Sequence, residues 1–191
     1  MKRYIKNAVS LGDYDLNDAK RYLSDKQCDE WILRELSKSP FENVRTSVAM
    51  HPNCPIDTLI ELAHDDSFTV RHWAAWNRRL PASELSQLAS DDEWFVREAV
   101  ANNPNTPSQV LENMADDVGL VSRNVARNPN TPVDVIIRLA GSDNADVRYG
   151  AVENPNLPIG LLKELCKDPY YVTAYAAKVN YKRRLKRGEV G

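Results

Sequence analysis

Apolar residues recur in two alternating blocks along most of this chain. Val44, Val48 and Ala49 form one block, and Leu59, Leu62 and Ala63 the next. The pair returns as Val70, Ala74, Ala75 with Leu85, Leu88, Ala89, and as Val96, Val100, Ala101 with Leu111, Met114, Ala115. It returns twice more, as Val121, Val125, Ala126 with Ile136, Leu139, Ala140, and as Val147, Ala151, Val152 with Leu162, Leu165, Cys166. Within a block the residues are three to five positions apart, which places each trio on one face of a helix. Each block therefore predicts a short amphipathic helix, and each pair of blocks a two-helix repeat.

The repeat has a fixed length. Val44, Val70, Val96, Val121, Val147 and Val172 are 26, 26, 25, 26 and 25 residues apart. Asn103-Pro104, Asn128-Pro129 and Asn154-Pro155 end the first helix, because proline excludes the helical conformation for the residue before it. Thr106-Pro107 and Thr131-Pro132 then open the second helix, with threonine expected as N-cap and proline in the first turn. Helices this short cannot bury their stripes alone, so the units must stack on one another. The pattern predicts an all-α protein, an α-solenoid of about five 25–26-residue two-helix repeats with divergent caps. Its expected divisions are 1–43 (N-terminal cap and divergent first repeat), 44–171 (five repeats) and 172–191 (capping helix and basic tail). In the cap, residues 15–24 and 30–38 read as helical, and Trp31, Ile32, Leu33 and Leu36 match the second helix of the unit.

The frame Val-Arg…Val-Ala-x-Asn-Pro-x-Thr-Pro…Leu-x-x-Leu-Ala-x-Asp resembles the leucine-rich repeat variant family over roughly residues 29–177. The resemblance implies a right-handed superhelix of alternating α- and shorter, partly 3₁₀ helices, related in shape to HEAT and armadillo arrays. Some members carry an iron–sulfur cluster on an N-terminal cysteine group. Only Cys28 precedes the repeats here, so that property is not carried over.

Composition narrows the function classes. No apolar run approaches the roughly 20 residues of a membrane helix. Met1-Lys2-Arg3-Tyr4-Ile5-Lys6 is basic but leads into Asn7 and Asp13, without the apolar stretch of a secretory signal, so a cytoplasmic protein with no membrane partner is expected. The net charge of −2 hides a partition: +1 over residues 1–40, −8 over 41–177 and +5 over 178–191. The last segment holds Lys178, Lys182, Arg183, Arg184, Lys186 and Arg187, a possible nucleic-acid-binding cluster or else a solvated tail.

Candidate chemistry is sparse. Asp65, Asp91, Asp117 and Asp168 recur at one repeat position, and Arg71, Arg97 and Arg148 at another, which reads as capping plus an Asp–Arg ladder. His51-Pro52-Asn53-Cys54 has two ligand-like residues and lacks the other two a zinc site needs. Cys28 and Cys54 stand one repeat apart, too far for an unstrained disulfide. Nothing leaves the repeat to bring an acid, base or nucleophile together. The expectation is a chain with no catalytic residue, no cofactor, no metal and no small-molecule substrate.

What varies within the fixed frame is the third, fourth and seventh residue of each first helix, counted from its valine, and these are expected to face away from the core stripe. They read Thr46, Ser47, Met50; His72, Trp73, Trp76; Glu98, Ala99, Asn102; Arg123, Asn124, Arg127; and Tyr149, Gly150, Glu153. The second repeat also replaces Pro-x by Arg78-Arg79. Tryptophan and arginine are the residues enriched at binding hot spots. Met50, His72, Trp73, Trp76, Arg78, Arg79, Arg123 and Arg127 are therefore the candidate protein-binding residues. The competing reading packs Trp73 and Trp76 against Trp94-Phe95 as core of a divergent repeat. A non-enzymatic scaffold binding a protein is the expectation. The alternatives are a nucleic-acid-binding HEAT-like module using the basic tail, and a phage or mobile-element accessory protein that sequesters a host enzyme.

Overall fold

The computed structural model describes residues 28–189. Among the described residues there are twelve α-helices and no strand. The chain divides into two compact units, Met1–Asn105 and Thr106–Gly191. In the first, the helices are α1 (Glu30–Leu36), α2 (Glu42–Met50), α3 (Ile56–Ala63), α4 (Phe68–Trp76), α5 (Ala82–Leu88) and α6 (Trp94–Asn102). In the second they are α7 (Ser108–Asn113), α8 (Gly119–Arg127), α9 (Val133–Ala140), α10 (Ala145–Glu153), α11 (Ile159–Leu165) and α12 (Tyr171–Lys186). Each unit is a stack of two-helix repeats. The helix expected at residues 15–24 lies outside the described residues.

The expected core is the observed one. Val44, Val48, Ala49, Val70, Ala74, Ala75, Val96, Val100 and Ala101 are all buried, as are Leu59, Leu62, Leu85 and Leu88 on the second helices of that unit. In the second unit Val121, Val125, Ala126, Val147, Ala151 and Val152 face Ile136, Leu139 and Leu162 in the same way. Cys166, expected in the core, is only half-buried. The two short helices of one repeat cannot enclose these stripes by themselves, and the neighbouring repeats complete the burial, so a lone repeat has no folded state of its own.

Two details of the turn differ from the sequence reading. Proline, not threonine, is the N-cap: Pro107 and Pro132 are extended, with ψ of 147° and 145°. Thr106 and Thr131 are buried instead, and the Thr131 hydroxyl donates to the Val125 carbonyl at 2.5 Å, stitching the second helix to the first. The asparagine that precedes the turn also does more than end a helix. Its side chain caps the first helix of the preceding repeat. Asn77 Nδ2 donates to the carbonyls of Ala49 (2.7 Å) and His51 (3.2 Å), and Asn103 Nδ2 to those of Ala75 (2.6 Å) and Asn77 (3.1 Å). In the second unit Asn154 Nδ2 donates to Ala126 (2.7 Å) and Asn128 (2.8 Å). These are carbonyls that a helix C-terminus leaves without an internal partner. Each Asn Oδ1 meanwhile accepts the amide two residues on, at 3.0 Å from Arg79, 2.9 Å from Asn105 and 2.8 Å from Asn156.

The Asp–Arg pairs close the other end of the repeat. Arg45 meets Asp65 with Nε–Oδ2 at 2.6 Å and Nη2–Oδ1 at 2.9 Å, Arg71 meets Asp91 at 2.7 and 3.0 Å, and Arg148 meets Asp168 at 2.7 and 2.9 Å. Each is a two-pronged pair twenty residues long in sequence, joining a first helix to the turn after its own second helix. The same carboxylates accept the amides of Ser67, Glu93 and Tyr170, which fixes the entry to the next first helix. One repeat replaces both partners, by Ser122 and Ser142. There Ser122 Oγ bonds the Asp117 carbonyl at 2.7 Å and Ser142 Oγ accepts the Asn144 amide at 3.2 Å, so each serine keeps only the local half of the role.

The last helix shifts the frame. Val172 is exposed, and Thr173 is the residue fully buried in the valine position. Asn180 confirms that register, since its Nδ2 donates to the Val152 carbonyl at 2.8 Å in the manner of the earlier asparagines. Unlike the earlier first helices, α12 does not stop at its asparagine but runs on to Lys186. It stops at Gly188, whose φ of +84° is left-handed. The Gly188 amide bonds the Leu185 carbonyl at 3.0 Å and the Glu189 amide that of Arg184 at 3.2 Å, a Schellman cap. This helix therefore closes its own end.

Candidate protein-binding face

The outer face of α4 is built on residues four apart. Phe68, His72 and Trp76 fall on one side of the helix, opposite Val70 and Ala74. Phe68 and Trp76 are exposed, Trp76 at 42%, and Met50 on α2 at 51%. His72 departs from expectation: it is 4% exposed. Its ring stacks on Phe95 at 3.7 Å and 7°, and its Nδ1 bonds the Phe95 carbonyl at 2.8 Å. Because a carbonyl only accepts, Nδ1 carries the proton. Trp76 lies over His72 at 6.0 Å and 27°, and Trp73 meets it edge-on at 6.4 Å. Trp73 is half-buried rather than displayed. The fourth position turns toward a neighbouring helix, as Ala99 and Gly150, both buried, also do. His72 is thus the residue that packs on Phe95; Trp73 meets His72 edge-on at 5.1 Å, and Trp76 rests on His72 while staying open to solvent.

Arg78 and Arg79 are exposed, but Arg79 is not free. It stands where Asn105 and Asn156 stand in other repeats, and like them it reaches back one repeat. Asn105 Nδ2 donates to the Arg78 carbonyl at 2.5 Å and Asn156 Nδ2 to that of Pro129 at 2.8 Å; Arg79 Nη1 donates to the Cys54 carbonyl at 2.9 Å. The long side chain makes the stitch that the missing Pro-Asn would have made.

In the second unit the expected cationic step is partly quenched. Arg127 Nε pairs with Glu153 at 3.2 Å, and the Arg123 guanidinium lies 5.3 Å above the Tyr149 ring, whose hydroxyl donates to Glu153 at 3.2 Å. Arg184 is also committed to the fold, through Glu189 at 2.6 Å and the Leu157 carbonyl at 2.5 Å. Lys178, Lys182, Arg183, Lys186 and Arg187 stand exposed.

In the first unit the sequence reading missed Phe41 and Phe68 and the exposure of Trp94, all at the N-terminal ends of α2, α4 and α6. Phe68 and Trp94 are 26 residues apart, so the repeat period itself marked them. Counting only from the valine onward excluded them.

His51 is buried in its turn, where Nδ1 accepts the Asn53 amide at 3.2 Å, and burial pushes the Cys54 thiol up to about 12. Among the described residues no group of three or more His, Cys, Asp or Glu side chains is placed to hold a metal ion, and no helix is long and apolar enough to cross a membrane.

The titrating groups set two acid ranges. Burial holds the His72 pKa below its ordinary value, against the Phe95 carbonyl and Glu98, which raise it. The unfolded chain then takes up that proton first, so the contribution is complete above about pH 6.5 and is lost as pH falls below it. Burial raises the Asp65 and Asp91 carboxyls, but their arginine partners and the turn amides outweigh it and leave both below the usual range. Their contribution is present above about pH 4 and disappears as pH falls through the depressed values. Thermal unfolding midpoints measured from pH 8 to 5 are expected to fall for the wild type and to fall less for His72→Phe. Equal slopes would place the loss elsewhere.

Comparison with known proteins agrees with the repeat frame. The family model described as leucine rich repeat variant matches residues 94–118. A search of curated proteins finds no match. Among solved structures, the chain is similar to one titled "A leucine-rich repeat variant with a novel repetitive protein structural motif", at 24% identity over 93% of this chain and 84% of that one, with a TM-score of 0.37. Residues 94–118 are similar to the leucine rich repeat variant model, and the same Val/Ala and Leu/Ala frame recurs on both sides of them.

Proposed function

We propose that this chain is a non-enzymatic repeat scaffold that binds a protein through the outer face of its first unit. The observation that carries the reading is Trp76, an exposed indole held over the buried His72, which is itself stacked on the half-buried Phe95. Phe68 shares its helix face, and Met50 and Trp94 are the exposed apolar residues of the adjoining first helices. A large ring already fixed by its neighbours loses little freedom on association, which is the property of a hot-spot anchor. The repeat-protein frame supports a scaffold role, since stacked helices hold side chains at fixed spacing. Arg79, Arg127 and Arg184 are each bonded within the fold through part of the guanidinium, so binding falls mainly on the aromatic residues.

The test is affinity capture from the source cells with the wild type and with Trp76→Ala, followed by a titration of the purified partner. Trp76→Ala is expected to weaken binding about tenfold or more while leaving the far-UV circular dichroism unchanged. A partner that binds the folded variant with wild-type affinity overturns the reading.

A further inference from the structure

We propose that the outward face of α12 binds single-stranded nucleic acid, at a site separate from the aromatic face of the first unit. Along α12, Tyr171, Tyr175, Lys178, Lys182 and Lys186 follow one another at intervals of four, three, four and four residues. That places them on one line opposite the buried Thr173, Ala174 and Ala177. Tyr171 is 77% exposed and Tyr175 58%, and their rings lie 6.1 Å apart at 27°. The two rings form an open platform and the three lysines a track leading from it. At about 1.5 Å per residue the line runs roughly 22 Å, the reach of a few nucleotides.

The lysines have no competing anion. Glu189 is the sole acidic side chain from residue 169 to the end of the sequence, and it is bonded to Arg184 on the inward side. Among the described residues no ion pair engages Lys178, Lys182, Lys186 or Arg187, whereas Arg127 on α8 is paired with Glu153. The lysines at 182 and 186 stand on the part of α12 that other first helices lack, beyond the asparagine at which those helices end.

Charge and ring chemistry together choose the occupant. A single strand offers both phosphates for the lysines and base faces for the tyrosines. Duplex hides its base faces, and residues 41–177 carry a net −8 that repels a long phosphate array. An acidic helix would meet the lysines, but it would want aliphatic knobs where two tyrosines stand; the exposed aliphatics Val172, Val179 and Leu185 lie to either side of the line.

The experiment uses the full chain and a fluorescein-labelled 20-nucleotide oligothymidylate, read by anisotropy from about 50 to 200 mM salt, beside a 20-base-pair duplex and a labelled Glu-rich helical peptide. The expected result is preference for the single strand, with a log–log salt slope of about −2 to −3, near −0.7 per phosphate contacted. Lys178→Glu/Lys182→Glu/Lys186→Glu should weaken binding at least tenfold and flatten the slope. If that variant fails to fold, Lys182→Ala should reduce the slope by about 0.7. Tyr171→Ala/Tyr175→Ala should weaken binding at least about fivefold with the slope unchanged, because stacking releases no counterions. Trp76→Ala should have no effect. No binding of the oligothymidylate, equal or tighter binding of the duplex or the peptide, or full affinity in the tyrosine variant overturns the proposal.

Discussion

Asn154→Ala is expected to lower the stability of the second unit by about 2–5 kcal/mol. The side chain is buried, and its Nδ2 is the donor for both the Ala126 and Asn128 carbonyls, in bonds that are themselves buried. Removing it strands the Ala126 carbonyl at the end of α8, at about 1–3 kcal/mol, takes one of two donors from the Asn128 carbonyl, which keeps the Thr131 amide at 3.1 Å, and takes the acceptor from the Asn156 amide. Asn154→Asp separates these roles. Aspartate still accepts from Asn156, but it sets a carboxylate against two carbonyl oxygens, so it should be at least as damaging as alanine. Urea unfolding followed by circular dichroism measures both. An Asn154→Ala loss below about 1 kcal/mol would mean that water replaces the cap.

Gly150→Ala is expected to destabilise the second unit by about 1–3 kcal/mol, although alanine is the better helix former. A Cβ on Gly150 would lie 2.3 Å from the Arg123 carbonyl oxygen and 3.2 Å from its carbon, backbone atoms of α8 that cannot swing aside. The helices must separate, and overpacking of that kind outweighs the roughly 1 kcal/mol of intrinsic helix preference. Gly160 supplies the control. It lies in α11, where an added Cβ would meet nothing within 4 Å, so Gly160→Ala should stabilise by about 0.5–1 kcal/mol. Equal effects at the two sites would remove the close approach of α10 to α8 as the reason for glycine at 150.

Much of the fold was legible because it is written five times. A valine followed four and five residues on by small apolar residues needs no tertiary information to mark a buried helical stripe, and each of the five trios from Val44 to Val152 is buried. Repetition also explains the errors. Val172 fits the spacing and the residue type, yet Thr173 holds the core position, because Asn180 and the inward alanines fix the register of α12 and Val172 contributes nothing to it. Thr106 and Thr131 have the composition of N-caps, but a proline held at extended ψ takes that place and frees the hydroxyl to bond the helix before. Asn-Pro signalled a helix end without revealing that the amide reaches into the previous repeat, since a contact between residues 28 apart has no local signature. The candidate face was legible in part. Trp76 and Met50 emerge as exposed, whereas His72 was lost to a stacking partner, Phe95, one repeat further on. Gly188 was available as a signal, a glycine directly after a basic last turn, and it marks where α12 ends.

The direction of the asparagine cap constrains how such a chain can grow. The first helices α2, α4, α8 and α10 borrow their closure from the repeat that follows, while α12 carries its own in Gly188. A block of some 26 residues duplicated inside the array would bring an asparagine for its predecessor and find one in its successor, leaving every carbonyl satisfied. A block appended after Gly188 would follow a helix that no longer has anything to receive. Lengthening by internal duplication is therefore open to this architecture, and lengthening by addition past Gly188 is not, unless that glycine is lost first.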